Sequence, residues 1–160
     1  MSSKVKPIPD GYHTITPYMM HKSSAEAIEF YKKAFGAEEL MRLPGPEGKV
    51  MHAEIKIGNS ILMLSDETDQ CPNRAPDPAV GTCTSLFLYV EDVDSSFKKA
   101  VDAGCKATME LTDMFWGDRF GTLRDPYGYD WSMATHKEDL SPEEIGKRQA
   151  EFMKQMAHTS

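Results

Sequence analysis

The alternation of Met51, Ala53, Ile55 and Ile57 against His52, Glu54 and Lys56 is the cleanest pattern in the chain. A period of two puts the first set on one face of a strand and the second set on the other, so Val50–Ile57 is predicted as a half-buried strand. Gly58-Asn59 turns the chain into a second apolar run, Ser60–Ser65. Upstream, Ala27, Ile28, Tyr31 and Ala34 fall at helical spacing over Ala25–Ala34. Ser23 and Ser24 offer N-cap hydroxyls there, and Gly36 stands where a C-cap is favoured. Tyr12–Met20, before this helix, is rich in β-branched and aromatic residues and is expected to be a strand; after it, Glu38–Leu43 runs into the turn formers Pro44–Gly48. The predicted order is strand, helix, three strands.

That order then recurs. Thr84–Val90 has strand composition, Asp94–Ala103 is a predicted helix ended by Gly104, and Phe97-Lys98-Lys99-Ala100 echoes Tyr31-Lys32-Lys33-Ala34. Cys105–Leu111, Phe120–Arg124 and Tyr129–Thr135 follow as strands, with Phe115–Arg119 a loop and Asp125-Pro126-Tyr127-Gly128 a tight turn. Between the copies, Asp66–Gly81 carries Pro72, Asn73, Pro76 and Pro78 and is a connector. A repeated unit of about 60 to 70 residues accounts for the whole series. The expected organisation is one domain over residues 1–140, with halves at about 11–67 and 83–136 and a linker at 68–82, followed by a C-terminal helix over 141–160. Each half alone would expose an apolar sheet face, so the halves must pack on each other or on a partner. The last helix opens with Ser141 at the N-cap, Pro142 at N1 and Glu144 at N3, and Ile145, Phe152, Met153 and Met156 are expected to dock on the body or on a second subunit.

Charge narrows the partners. Eighteen Lys and Arg against 25 Asp and Glu leave a formal charge of −7, which opposes a nucleic-acid partner. No apolar run approaches the roughly 20 residues that span a bilayer, and Met1–His13 lacks the apolar core of a signal peptide, so a cytoplasmic protein without a membrane partner is expected. The odd set of Cys71, Cys83 and Cys105 has no zinc-like spacing and suits a reducing compartment; Cys71 and Cys83 could pair under oxidation but are expected to be unrelated thiols. Eleven methionines give pliable apolar walls, fit for a pocket or for an ordinary core.

Five phrases in order carry a family resemblance: Gly11–Tyr18 (GYHTITPY), Phe30–Ala37 (FYKKAFGA), Met51–Ile55 (MHAEI), Leu88–Asp92 (LYVED) and Phe115–Arg119 (FWGDR). With the two halves and the Asp-Pro-Tyr-Gly turn, the chain resembles the vicinal oxygen chelate superfamily (glyoxalase, bleomycin-resistance and dioxygenase proteins), and within it the PhnB-like branch, from about residue 8 to 147. The resemblance implies an α+β fold in which two βαβββ modules form curved mixed sheets with a trough between them, and commonly a homodimer. Metal-using members place one ligand on the first strand and one on the last strand of each half. Here those positions fall at Thr16, Met63, Ser85 and Ser132, none of them a usual donor for such an ion. The expected function is therefore the binding of a small, partly apolar organic molecule in the trough, with no cofactor. The alternative is a metal-dependent lyase, isomerase or dioxygenase of the glyoxalase type, its divalent metal held by displaced ligands drawn from His13, His52, Glu54 and Asp130. A methyltransferase is not expected, because no Gly-rich strand–helix loop is present to receive a nucleotide-like methyl donor.

Individual residues follow from parity. His52 and Glu54 share a face opposite Ala53, Ile55 and Ile57; they are either the catalytic or binding pair of the trough or a satisfied polar pair. Tyr18, Phe87 and Tyr89 share the inward parity and are expected to line the trough. Trp116, Asp118 and Arg119 can supply a stacking wall and an anion clamp beside the cleft, or else an internal Asp118–Arg119 ion pair with Trp116 in the core. His13 is expected to be a packing or turn residue, and His21, His136 and His158 surface residues.

Overall fold

A computed structural model describes residues 5–157; His158 lies outside them. The elements are β1 (Tyr18–His21), α1 (Ser24–Phe35), β2 (Glu38–Pro44), β3 (Val50–Ile57), β4 (Ser60–Asp66), β5 (Ser85–Tyr89), α2 (Val93–Ala103), β6 (Lys106–Asp113), β7 (Asp118–Arg124), β8 (Asp130–His136) and α3 (Pro142–Ala157), with a short 3₁₀ turn at Pro46–Gly48. Two four-stranded mixed sheets result, ordered β1-β4-β3-β2 and β5-β8-β7-β6. In each, the first strand runs parallel to the last and the other pairs are antiparallel. The fold is α+β, two βαβββ units and a terminal helix, as the repeat predicted.

Capping explains the helix ends. The Ser23 hydroxyl accepts from the Glu26 amide and Gly36 closes α1 in the left-handed region; Asp92 caps α2 by accepting from the Ser95 amide. α1 covers one face of the first sheet with Ala27, Ile28, Tyr31 and Ala34 packed toward Ala53, Ile55, Ile57, Leu62 and Leu64. α2 does the same for the second sheet with Val93, Phe97 and Ala100 over Leu123, Trp131 and Met133. The two helices also pack on each other, so one continuous core joins the halves. Among the described residues neither α1 nor α2 lies on the other face of either sheet.

Asp125, in the Asp-Pro-Tyr-Gly turn, ties the halves together. It accepts from the Tyr31 hydroxyl (2.8 Å) and the Trp131 indole (2.9 Å) at one oxygen, and from the Tyr127 and Tyr129 amides at the other. The Tyr129 hydroxyl meets both the amide and the carbonyl of Met20, satisfying the outer edge of β1 at that point.

Four expectations are corrected. β1 begins at Tyr18 rather than Tyr12: Pro17 accepts from the Met63 amide of β4 but offers no amide of its own, and before it the Tyr12 amide bonds back to the Pro9 carbonyl in a turn. The alternation in β3 slips at its start, where Val50 is buried and Met51 exposed, opposite a register shift at Leu43/Pro44. β7 begins at Asp118, inside the stretch expected to be a loop. His21 is fully buried rather than on the surface, its ring against those of Tyr31, Tyr127 and Tyr129.

Candidate functional site

The open face of the first sheet is built by β-strand parity. Met41 pairs with Glu54, Leu43 with His52, and Met63 with both Glu54 and Tyr18, so these side chains share the face away from α1. Polar contacts run in a row along it. The Tyr18 hydroxyl lies 3.1 Å from His52 Nδ1, His52 Nε2 lies 3.2 Å from Glu54 Oε1, and the Tyr12 hydroxyl donates to Glu54 Oε2. The Tyr12 hydroxyl, and after it the imidazole, hold the Glu54 carboxyl below the usual carboxylate range, partly against burial. The same bond pushes the Tyr12 phenol up to about 12, so it keeps its proton and remains a donor.

Tyr12 reaches this face because the segment before β1 crosses it as a strap. Gly11, in the left-handed region, allows the close turn above Ile61. Beneath the strap is a hollow of about 600 Å³ lined by Pro7, Ile8, Pro9, Tyr12, His13, Thr14, Thr16, Met41, Glu54 and Met63. That volume is within the range of small-molecule pockets. Thr16 and Met63, two of the positions implied by the resemblance, lie in this wall, as does His13.

The open face of the second sheet carries Ser85, Phe87 and Tyr89 on β5, Ser132 on β8, and Asp118, Phe120 and Thr122 on β7. Ser85 and Ser132 hydroxyls are 2.9 Å apart and satisfy each other. Phe87 stacks on Phe120 at 5.6 Å and leans on Tyr89. Asp118 is buried and accepts from the Tyr89 hydroxyl (2.9 Å), the Trp116 indole (3.1 Å) and His136 Nδ1 (2.7 Å). His136 Nε2 faces Asp139 at 2.9 Å, so the bonds to Asp118 and Asp139 raise the imidazole pKa and favour its charged form. His136 is on the surface, as expected, but it has two carboxylate partners there, which was not expected. A second hollow, about 670 Å³, opens between Met114, Phe115, Gly117, Asp118 and α3, where Phe115 meets Phe152. A third, of the same size, lies along the edge of β1 between Pro17–Met20 and the linker, including Arg74, Cys83 and Tyr129.

The expected ion pair between Asp118 and Arg119 does not form. They are neighbours on a strand and point to opposite faces, so they form no ion pair with each other. The Arg119 guanidinium turns to the helix side and clasps Asp94 through Nε and Nη2 (2.9 and 2.8 Å), with Asp113 at 3.3 Å. All three of its nitrogens thereby face carboxylates.

The donors fit a divalent metal poorly. Thr16, Met63, Ser85 and Ser132 are hydroxyls and a thioether. Of the displaced set, His13, His52 and Glu54 are in the first half, while Asp130 is in the other sheet and paired with Arg124 (2.8 Å). Among the described residues no three His, Cys, Asp or Glu side chains are grouped to hold a metal. Sequence reasoning missed Tyr12, Met41 and the strap. Pro7 and Pro9, which cannot donate to a sheet ladder, were the available signal that the lead-in runs outside the sheet.

Comparison with known proteins agrees with this architecture. The family described as "Glyoxalase/Bleomycin resistance protein/Dioxygenase superfamily" matches residues 13–133. The chain belongs to that superfamily. An uncharacterized protein of Mycobacterium tuberculosis is 39% identical over 134 residues, covering 82% of this chain and 79% of the relative. The crystal structure of TioX from Micromonospora superposes with a TM-score of 0.62 at 27% identity, over 76% of this chain and 97% of that one. A PhnB protein from Bacillus cereus superposes at 0.61 with 22% identity, over 77% and 99%, a likeness of fold.

Proposed function

We propose that this chain is a PhnB-like member of the superfamily that binds a small, partly apolar organic molecule on the open face of its first half, without a divalent metal. The observation that carries this is the hollow beneath the strap, walled by Met41, Met63 and Pro7–Pro9 with one carboxylate, Glu54, on its floor. An apolar wall with a few convergent polar groups is the ordinary composition of a small-molecule pocket. The PhnB-like assignment is supported by the five phrases that run in order through the chain. The metal-free reading is supported by the donor set, two hydroxyls, a thioether and a third hydroxyl where imidazole or carboxylate would be needed. Two copies are proposed to associate through the open faces, because the large side chains of Tyr18, Phe87 and Tyr89 are exposed there.

The test is amide NMR of the whole chain against a small aromatic fragment library. Binders are expected to shift the amides of Tyr12, Met41, Glu54 and Met63, and Met63→Trp, which fills the hollow, is expected to remove those shifts. Shifts confined to the β1 edge or to the α3 hollow would overturn the location. In the same preparation, made without a histidine tag and supplemented with manganese and zinc, bound metal is expected to stay well below one ion per chain. A stoichiometric ion would overturn the metal-free reading.

A further inference from the structure

The floor of the hollow has an unbalanced charge. Glu54 is mostly buried, with 14% of its side chain exposed, and is held in its ionised form by the Tyr12 hydroxyl and His52. Among the described residues no lysine or arginine lies within ion-pair distance of it; its one ion-pair partner is His52. The comparably buried carboxylates on the strands are matched by fixed cations, Glu39 by Arg42 and Lys32, and Asp130 by Arg124. Asp66, Asp118 and Asp125 lack such cations but spend both oxygens on protein donors inside the fold. Glu54 differs in facing a cavity. It accepts one hydrogen bond at each oxygen, and an ionised carboxylate has room for about four. Each oxygen keeps a lone pair, and the surrounding wall combines thioether, proline ring and isoleucine with His13 and the hydroxyls of Thr14 and Thr16, with no second carboxylate and no lysine or arginine among them.

We infer that the hollow takes an organic cation, a protonated amine or amidinium carried on an apolar body. This rests on the reading of the hollow as the ligand site and adds the chemistry of its occupant. The cationic N–H donates to the free lone pairs of Glu54, the apolar body packs between Met41, Met63 and the strap, and the formal charge of −7 biases approach toward cations. Burial strengthens the pair, since neither charge is well screened beneath the strap. A neutral molecule of the same shape gains the packing without the pairing, and a carboxylate meets like charge.

The experiment uses three probes with one apolar body, 2-naphthylmethylamine, 2-naphthylmethanol and 2-naphthoate, titrated calorimetrically into the full chain and into Glu54→Gln at neutral pH. The ammonium is expected to bind about tenfold or more tightly than the alcohol, the worth of one charge-assisted hydrogen bond, and the carboxylate weakest. In Glu54→Gln the ammonium is expected to fall to the level of the alcohol, whose own affinity stays within about twofold because its packing is untouched. Circular dichroism and melting temperature show that the variant is folded. Equal binding of ammonium and alcohol to the hollow overturns the cation and leaves the hollow standing as a site. A preference for ammonium that survives Glu54→Gln places the cation elsewhere and overturns the inference. Binding of none of the three probes overturns it as well, while the location of the site is decided by the fragment shifts alone.

Discussion

His21 is the least exposed of the described histidines, at 0%, and its environment sets a pH dependence. Burial pushes its pKa down to about 4, partly offset by the nearby Asp66 carboxylate. Tyr31 gives its hydroxyl proton to Asp125 and so faces His21 Nε2 (3.0 Å) as an acceptor, and the Met19 backbone, like Asp66, offsets the effect of burial only in part. A proton added to this ring is therefore unwelcome in the folded chain and free to bind in the unfolded one. The folded pKa lies below the ordinary value of about 6.5, so stability is full above that pH, falls as the solution is acidified, and levels off near pH 4. At 1.4 kcal/mol per unit the loss is about 3 kcal/mol. Asp125, whose pKa burial raises, acts in the opposite sense as it takes up its proton, so the informative quantity is a difference. Urea denaturation at pH 7 and pH 5 is expected to show a smaller acid loss in His21→Phe than in the natural chain; equal losses would mean that another group carries the effect. Little of this was legible beforehand. The parity of His52 and Glu54 could be read because a strand fixes faces every second residue, but burial of His21 depends on Tyr127 and Tyr129, which are more than a hundred positions away.

At the scale of elements, the repeat was legible because capping, periodicity and turn chemistry are local. Ser23, Gly36, Gly104 and Ser141 end or start helices as their chemistry requires, and the Glu144 amide bonds the Ser141 hydroxyl (3.2 Å). Residues 12–16 are not strand, because composition alone cannot supply ladder partners and the turn at Tyr12 lifts the chain off the sheet. Of the residues expected to dock α3, Phe152 reaches Phe115, whereas Met153 faces outward at 61% exposure. What no local pattern shows is how closely α2 approaches its sheet. A Cβ placed on Gly121 in β7 would stand 2.8 Å from a ring carbon of Phe97 and 3.1 Å from the Met109 carbonyl. The ring can yield, but the backbone oxygen of β6 cannot do so cheaply. Gly121→Ala is accordingly expected to cost about 1–3 kcal/mol through overpacking, read as a lowered denaturation midpoint with an unchanged slope. A midpoint equal to that of the natural chain would show that α2 moves away without loss.

For the whole molecule the question is what covers the faces opposite α1 and α2. β1 and β5 are edge strands of separate sheets, and beside them Tyr18, Phe87 and Tyr89 are 50%, 47% and 64% exposed. An open strand edge next to an aromatic row is a template for association, which natural proteins cover or break with charge. The strap covers part of the first face and Tyr129 satisfies β1 at Met20, yet among the described residues no comparable segment covers Phe87 and Tyr89 in the second half. A second copy of the chain has the complementary apolar surface and, being identical, is present wherever the first is. Sedimentation at micromolar concentration is therefore expected to give a dimer. Phe87→Lys puts a charge into the row while leaving Leu86 and Leu88, on the opposite face of β5, packed against the core. It is expected to yield a folded monomer with unchanged far-ultraviolet circular dichroism. Persistence of the dimer in Phe87→Lys would place the interface away from this face, on α3 or the β1 edge, and the exposed aromatics would then need another explanation.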